Sequence, residues 1–150
     1  MTQSLTSNPW LRRAIVAVLI GLFWLSLSQD AVLVCAGTPM RGSQIAQVGW
    51  MGPIALQFGW YANIGLAWTI PQLLSRRRIS GWSAGVAILS LVVALTALGW
   101  QNIPSDVAYN SHTVCGFTTG FYLWIACLAL GAVATTTLAV ADKRDTQLGE

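Results

Sequence analysis

A chain of 150 residues that is 55% hydrophobic and only 9% charged, with a mean hydropathy of +0.60, lacks the composition of a soluble domain, which carries about 25% charged residues. Nearly all of its mass is committed to apolar segments, which excludes a separate soluble catalytic domain. A net charge of +3 is too small to argue for nucleic acid, so the information lies in where the charges fall.

Residues 1 to 9 are polar, show no amphipathic repeat and are expected to be mobile. Arg12 and Arg13 then precede an apolar run from Ala14 to Leu27. The run has some character of a signal peptide, with Ser26 and Ser28 at small positions. A lipoprotein reading of Cys35 fails because Val32, Leu33 and Val34 precede it rather than small residues. The expectation is a retained helix that continues through Gln29 and Asp30 towards Val34. Asp30 would then stand about 24 Å beyond Ala14, at an interface rather than in mid-bilayer, paired with Arg41 or capped by backbone.

After a polar connection from Ala36 to Gln47 comes the stretch Gly49 to Trp68, GWMGPIALQFGWYANIGLAW. Wound as an α-helix it separates into two faces. Gly52, Ala55, Gly59, Ala62, Asn63 and Leu66 fall in a sector about 100° wide, and Trp50, Gln57, Tyr61, Ile64 and Trp68 lie opposite. Trp50 and Trp68 would be about 27 Å apart along such a helix, one ring at each lipid–water interface. Arg76, Arg77 and Arg78 follow directly. The next apolar run, Gly81 to Trp100, has no charge, and Trp82 and Trp100 repeat the spacing of Trp50 and Trp68. A second polar connection, Gln101 to Gly120, holds Asp106, His112 and Cys115. The last run is Phe121 to Val140, closed by Asp142, Lys143, Arg144 and Asp145.

These elements predict an all-α fold, an integral membrane antiparallel four-helix bundle. Residues 1–150 would form one four-span transmembrane domain, with spans at about 12–34, 49–74, 80–100 and 120–141. Seven basic residues (Arg12, Arg13, Arg76 to Arg78, Lys143, Arg144) would lie on one side and only Arg41 on the other. By the positive-inside rule this predicts a multi-pass protein of the bacterial inner (cytoplasmic) membrane with both termini cytoplasmic.

That topology puts Cys35 and Cys115 on the oxidising side, where a disulfide is expected, while Cys127 sits within the fourth helix as a free thiol. Cys127, Gly131 and Thr135 share a face suited to close helix packing. Gln57 and Asn63 are candidate intramembrane polar contacts, bonding a neighbouring helix or lining a cavity. Trp60 and Tyr61 are a candidate interaction face, and Trp50, Trp68, Trp82 and Trp100 candidate interface anchors. Thr135 to Thr137 can bond back to their own helix. His112 reads as a solvated loop histidine, since only Asp106 stands near it as a further metal ligand. No catalytic, cofactor-binding or metal-binding residue is expected.

The order Cys35-x-Gly37, Gly49-Trp50-x-Gly52, Trp60-Tyr61-Ala62-Asn63 and Gly120-Phe121-Tyr122-Leu123-Trp124 resembles a set of small, uncharacterised bacterial inner-membrane proteins with four predicted spans. The resemblance covers helices two and four and the outer loop edges, and implies no catalytic residue. Where such proteins often carry Asn-Pro in helix two, this chain has Asn63-Ile64.

Three functions compete on the sequence. The first is a non-enzymatic membrane protein acting through contacts with a protein partner or a second copy of itself, in membrane lipid and without nucleic acid. It would serve as an accessory subunit or as an immunity-like protection factor against a membrane-targeted toxin. The second is a membrane thiol–disulfide redox enzyme, which lacks the expected Cys-x-x-Cys pair. The third is a small-molecule transporter or channel subunit, which lacks the expected membrane carboxylate.

Overall fold

The computed structural model describes residues 8–55, 57–75, 78–104 and 111–147, apart from a few side chains among them. The N-terminal tail 1–7, Arg76, Arg77 and Asp106 lie outside the described residues. In chain order the elements are helix α1 (Pro9–Ser28), strands β1 (Asp30–Val34) and β2 (Met40–Arg41), helix α2 (Gly42–Val48), two 3-10 segments (Gly49–Ala55 and Gly59–Tyr61) and helix α3 (Ala62–Leu74). Helix α4 (Gly81–Leu95), a 3-10 turn (Thr96–Gly99), strands β3 (Asn102–Pro104) and β4 (Ser111–Phe117), and helix α5 (Thr119–Gln147) complete the chain.

The fold is therefore not the all-α four-helix bundle that composition predicts. Among the described residues, five helices are joined by a four-stranded antiparallel half-barrel sheet in the order β2-β1-β4-β3. The first span, expected over 12–34, stops at Ser28. The hydroxyls of Ser26 and Ser28 donate to the carbonyls of Phe23 (2.7 Å) and Leu25 (2.8 Å), and Gln29 turns extended. The β-branched residues that follow suit a pleated strand better than another helical turn. Val32, Leu33 and Val34 pair with Phe117, Gly116 and Val114 of β4. Asp30 thus opens a strand, opposite Arg41, instead of closing a helix.

The second span, expected over 49–74, is broken as well. Gly49, Gly52, Pro53 and Gly59 are poor residues for a helix interior, and the backbone becomes regular α-helix only at Ala62. Trp50 and Trp68 consequently do not cap the two ends of one helix.

Among the described residues, three helices are long and apolar enough to cross a membrane: Pro9–Ser28, Gly81–Gly99 with its 3-10 end, and Thr119–Arg144 within α5. Their outward faces are apolar, with Val18, Ile20, Leu25, Leu89, Val92 and Val133 exposed. Water penalises such a surface and lipid does not.

Local chemistry sets the ends. Asn8 caps α1, its side chain accepting from the amides of Trp10 (3.0 Å) and Leu11 (3.4 Å), with Pro9 in the first turn. Ser80 caps α4 by accepting from Ser83 N (3.2 Å). Between the ends, Val16 and Leu19 of α1, Leu66 and Leu73 of α3, and Cys127, Leu128 and Leu138 of α5 form the main core. Cys127 donates to Leu19 O (3.2 Å), and a Cβ at Gly131 would lie 3.8 Å from Leu19 and 3.9 Å from Thr69. The Cys127–Gly131–Thr135 face is thus where α5 meets α1 and α3. Thr135 and Thr137 bond back to Gly131 O and Val133 O.

Where α5 leaves the sheet, a Cβ at Gly120 would come within 2.7–3.0 Å of the carbonyls of Asp30, Gln29 and Ser26, so only glycine allows this approach. Beneath the sheet, Val32, Met40 and Ile103 form their own buried cluster. Each contributes roughly 1.5–3 kcal/mol if that end of the molecule meets water.

Candidate functional site

The chain places chemistry at its two ends. At the sheet end, the C-terminus of α1, strand β1, helix α2, the start of α3, the segment after α4 and the start of α5 enclose a cavity of about 50 Å³. Rings dominate its wall: Phe23, Trp60, Trp100, Phe121 and Trp124, with Asn63 the main side-chain amide among them. Phe121 stacks on Phe117 at 4.2 Å between centroids and lies 5.9 Å from Trp124. Two of the three indoles are held by hydrogen bonds. Trp60 Nε1 donates to Ala46 O (2.9 Å), and Trp124 Nε1 donates to Asn63 Oδ1 (2.9 Å). Trp100 Nε1 is buried and finds no acceptor among the described residues. A cavity of this size has room for water, and an indole N–H is the sort of group a bound water satisfies.

The residues singled out in the sequence divide between two places. Trp60, Asn63 and Trp100 meet at this cavity, whereas Tyr61, Trp68 and Trp82 line a groove between α3 and α4 on the outer surface. Trp50 is exposed, and its carbonyl accepts from the Tyr61 hydroxyl (3.0 Å). Gln57 is not within a helix. It sits between the two 3-10 segments, and its side-chain amide donates to the Asn102 carbonyl of β3.

Cys35 and Cys115 form a disulfide across β1 and β4, with Cα atoms 5.0 Å apart, and both residues are exposed. The Cys35 amide donates to Thr113 O (3.0 Å) beside it. His112 is exposed on the same strand, opposite Ile103 of β3. Cys127 is a buried free thiol.

At the opposite end lies a group that sequence reasoning missed. Arg12 at the start of α1 and Asp142 near the end of α5 form an ion pair (3.5 Å), with side chains only 9% and 10% exposed. Arg12 also donates to Ser75 O just beyond α3 (3.0 Å), and Ile79 N, just ahead of α4, donates to Asp142 (2.9 Å). One pair of side chains therefore ties together the ends of all four long helices. A signal for it was present: Cys127, Gly131, Thr135, Leu138 and Asp142 continue one helical face, so Asp142 falls on the buried side of α5. Arg12 and Asp142 instead read as ordinary flanking charges.

Compared with protein-family models, with curated proteins and with solved structures, the chain finds no match.

Proposed function

We propose that this chain is a polytopic protein of the bacterial inner membrane that works by protein contact rather than by catalysis. The disulfide-closed sheet would face the oxidising side and both termini the cytoplasm. The observation that carries this reading is the sheet itself. It sits on the helix ends, closed by Cys35–Cys115, with Leu33, His112 and Thr113 exposed along paired strands. The clustering of Arg12, Arg13, Arg78, Lys143 and Arg144 near the far end supports the orientation. A platform of this kind fits an accessory subunit or a protection factor that meets its target outside the membrane.

The test is site-specific photo-crosslinking in intact cells, with the crosslinker at Leu33 or at His112. A discrete protein adduct, or a dimer of the chain, supports contact through the sheet. Adducts to lipid alone overturn it. Acid trapping adds the decisive control for the redox alternative: mixed disulfides at Cys35 or Cys115 would replace the contact reading with thiol exchange.

A further inference from the structure

We propose that the ring-walled cavity at the sheet end binds the carbonyl end of a neutral, flat molecule, with Trp100 Nε1 as the donor that recognises it. This site is independent of the contact reading above. Its volume of about 50 Å³ is roughly a third of the ~150 Å³ in which an engineered protein cavity takes up benzene. Only the end of a ligand therefore fits inside, and because the cavity is only partly enclosed the remainder lies at its opening. Phe23, Trp60, Phe121 and Trp124 give the wall its flat apolar faces. No acidic, basic or histidine side chain lines it among the described residues, so a charged ligand would lose its hydration without a counter-charge.

The polar groups on the wall select the rest of the ligand. Asn63 Oδ1 is taken by the Trp124 indole, the Trp60 indole by Ala46 O, and the Ser26 hydroxyl by Phe23 O (2.7 Å). What these bonds leave over is donor capacity. Trp100, which lines the cavity, has a buried Nε1 with no acceptor among the described residues. The Asn63 amide, held with its oxygen towards Trp124, keeps its nitrogen as a second donor. An indole N–H left unpaired away from water is unfavourable, so an occupant that accepts from it gains more than one that only fills space. A carbonyl oxygen accepts and donates nothing. A water or a hydroxyl brings hydrogens of its own, for which the side-chain acceptors on this wall are already spent. A carboxylate also accepts, but its charge has no answer here. The carbonyl end of a neutral, flat molecule meets every condition: it is small, its plane suits the ring faces, and its oxygen suits the indole.

The experiment is nuclear magnetic resonance of the full chain in mild detergent, with the tryptophan indole nitrogens labelled. The chain is titrated with acetophenone or with isopropenylbenzene, which has the same shape with a methylene in place of the carbonyl oxygen. Acetophenone should move the Trp100 indole proton downfield, saturably, and should bind about fivefold more tightly than isopropenylbenzene, the factor that one hydrogen bond of ordinary strength contributes. Trp100→Phe keeps a ring in the wall and removes the donor, so the two compounds should bind it equally. Binding to that variant is read at the Trp124 indole, whose bond to Asn63 also reports that the cavity is intact. No saturable shift at Trp100, equal affinity of the two compounds for the wild type, or a preference for acetophenone that survives in Trp100→Phe overturns the site. A Trp100 proton that contacts only a bound water, undisplaced by acetophenone, overturns it too. Should Trp100→Phe fail to fold, the wild-type comparison decides by itself, because a shift as large with isopropenylbenzene as with acetophenone is space filling and refutes carbonyl recognition.

Discussion

Removing the Asp142 carboxylate tests whether the ion-pair end holds the four long helices together. In Asp142→Leu the guanidinium of Arg12 stays buried without its counter-charge, and the Ile79 amide loses its acceptor. Breaking a buried pair from one side costs about 3–5 kcal/mol, of which an orphaned amide accounts for roughly 1–3. At about 2–4 °C per kcal/mol for a chain of this size, the melting temperature should fall by roughly 6–20 °C. Asp142→Asn keeps an oxygen for Ile79 N and should recover the amide part of the loss. Arg12→Met combined with Asp142→Leu removes both charges and should lie above the single Leu variant, short of the wild type by the roughly 1–3 kcal/mol of the Ile79 amide that still lacks its acceptor. The assay is thermal unfolding of the full chain in mild detergent, followed by tryptophan fluorescence. A melting temperature for Asp142→Leu within a degree of wild type, or a double variant as unstable as the two singles summed, would refute the reasoning.

Other expectations use the same assay. Gly59→Leu should cost about 1–3 kcal/mol or more, because even a Cβ there would lie 2.9 Å from Ala97 and 3.0 Å from Trp100, whereas Ile64→Leu on the exposed face should stay within about 0.5 kcal/mol. Trp124→Phe removes the bond to Asn63 and should cost about 0.6 kcal/mol for that bond if the site lies in lipid. Cys35→Ser with Cys115→Ser opens a loop of sequence separation 80, worth about 4.5 kcal/mol in the chain-entropy account; alkylation and mass spectrometry should find Cys127 as the only free thiol beforehand.

Where the sequence was legible, the signal was local. Gly81 starts α4 with Ser80 as its cap, and the long apolar run near the C-terminus forms α5. The cysteine pair was legible because the expected topology places both thiols on one side, and the two are bonded. The sheet was not legible, because its defining pairing joins β1 to β4 across some eighty residues and neither strand alternates cleanly. Val32, Leu33 and Val34 extend an apolar run that already reads as helix, and short apolar runs do not separate helix from strand by periodicity. Hydropathy also concealed the break after Gly49. Gly49 and Gly52 face Trp100 and Ile103, and Gly59 packs against Ala97 and Trp100, rather than lining one continuous helix. The glycines and Pro53 carried the contrary signal and were outweighed by tryptophan spacing. Of the candidate site, Trp60, Asn63 and Trp100 were singled out separately, but nothing in the sequence joined them, since Trp124 and Phe121 come from another helix.

The two ends hold α1 to α5 by different chemistry: β1 and β4 through a disulfide at one, Arg12 and Asp142 at the other, with the Leu19–Cys127 contact between them. Helices α3 and α4 have no covalent tie among the described residues. They meet where Gly65 admits Ser90, whose hydroxyl bonds back to Val86 O (2.8 Å) and so presents little bulk. If these helices lie in lipid there is no water to expel between them, and this contact would rest on close packing alone. The α1–α5 pair and its sheet form the frame, and the α3–α4 pair is the part whose position depends on fit. A partner that engages the sheet would bear on the frame and reach the second pair only through its packing against α1 and α5.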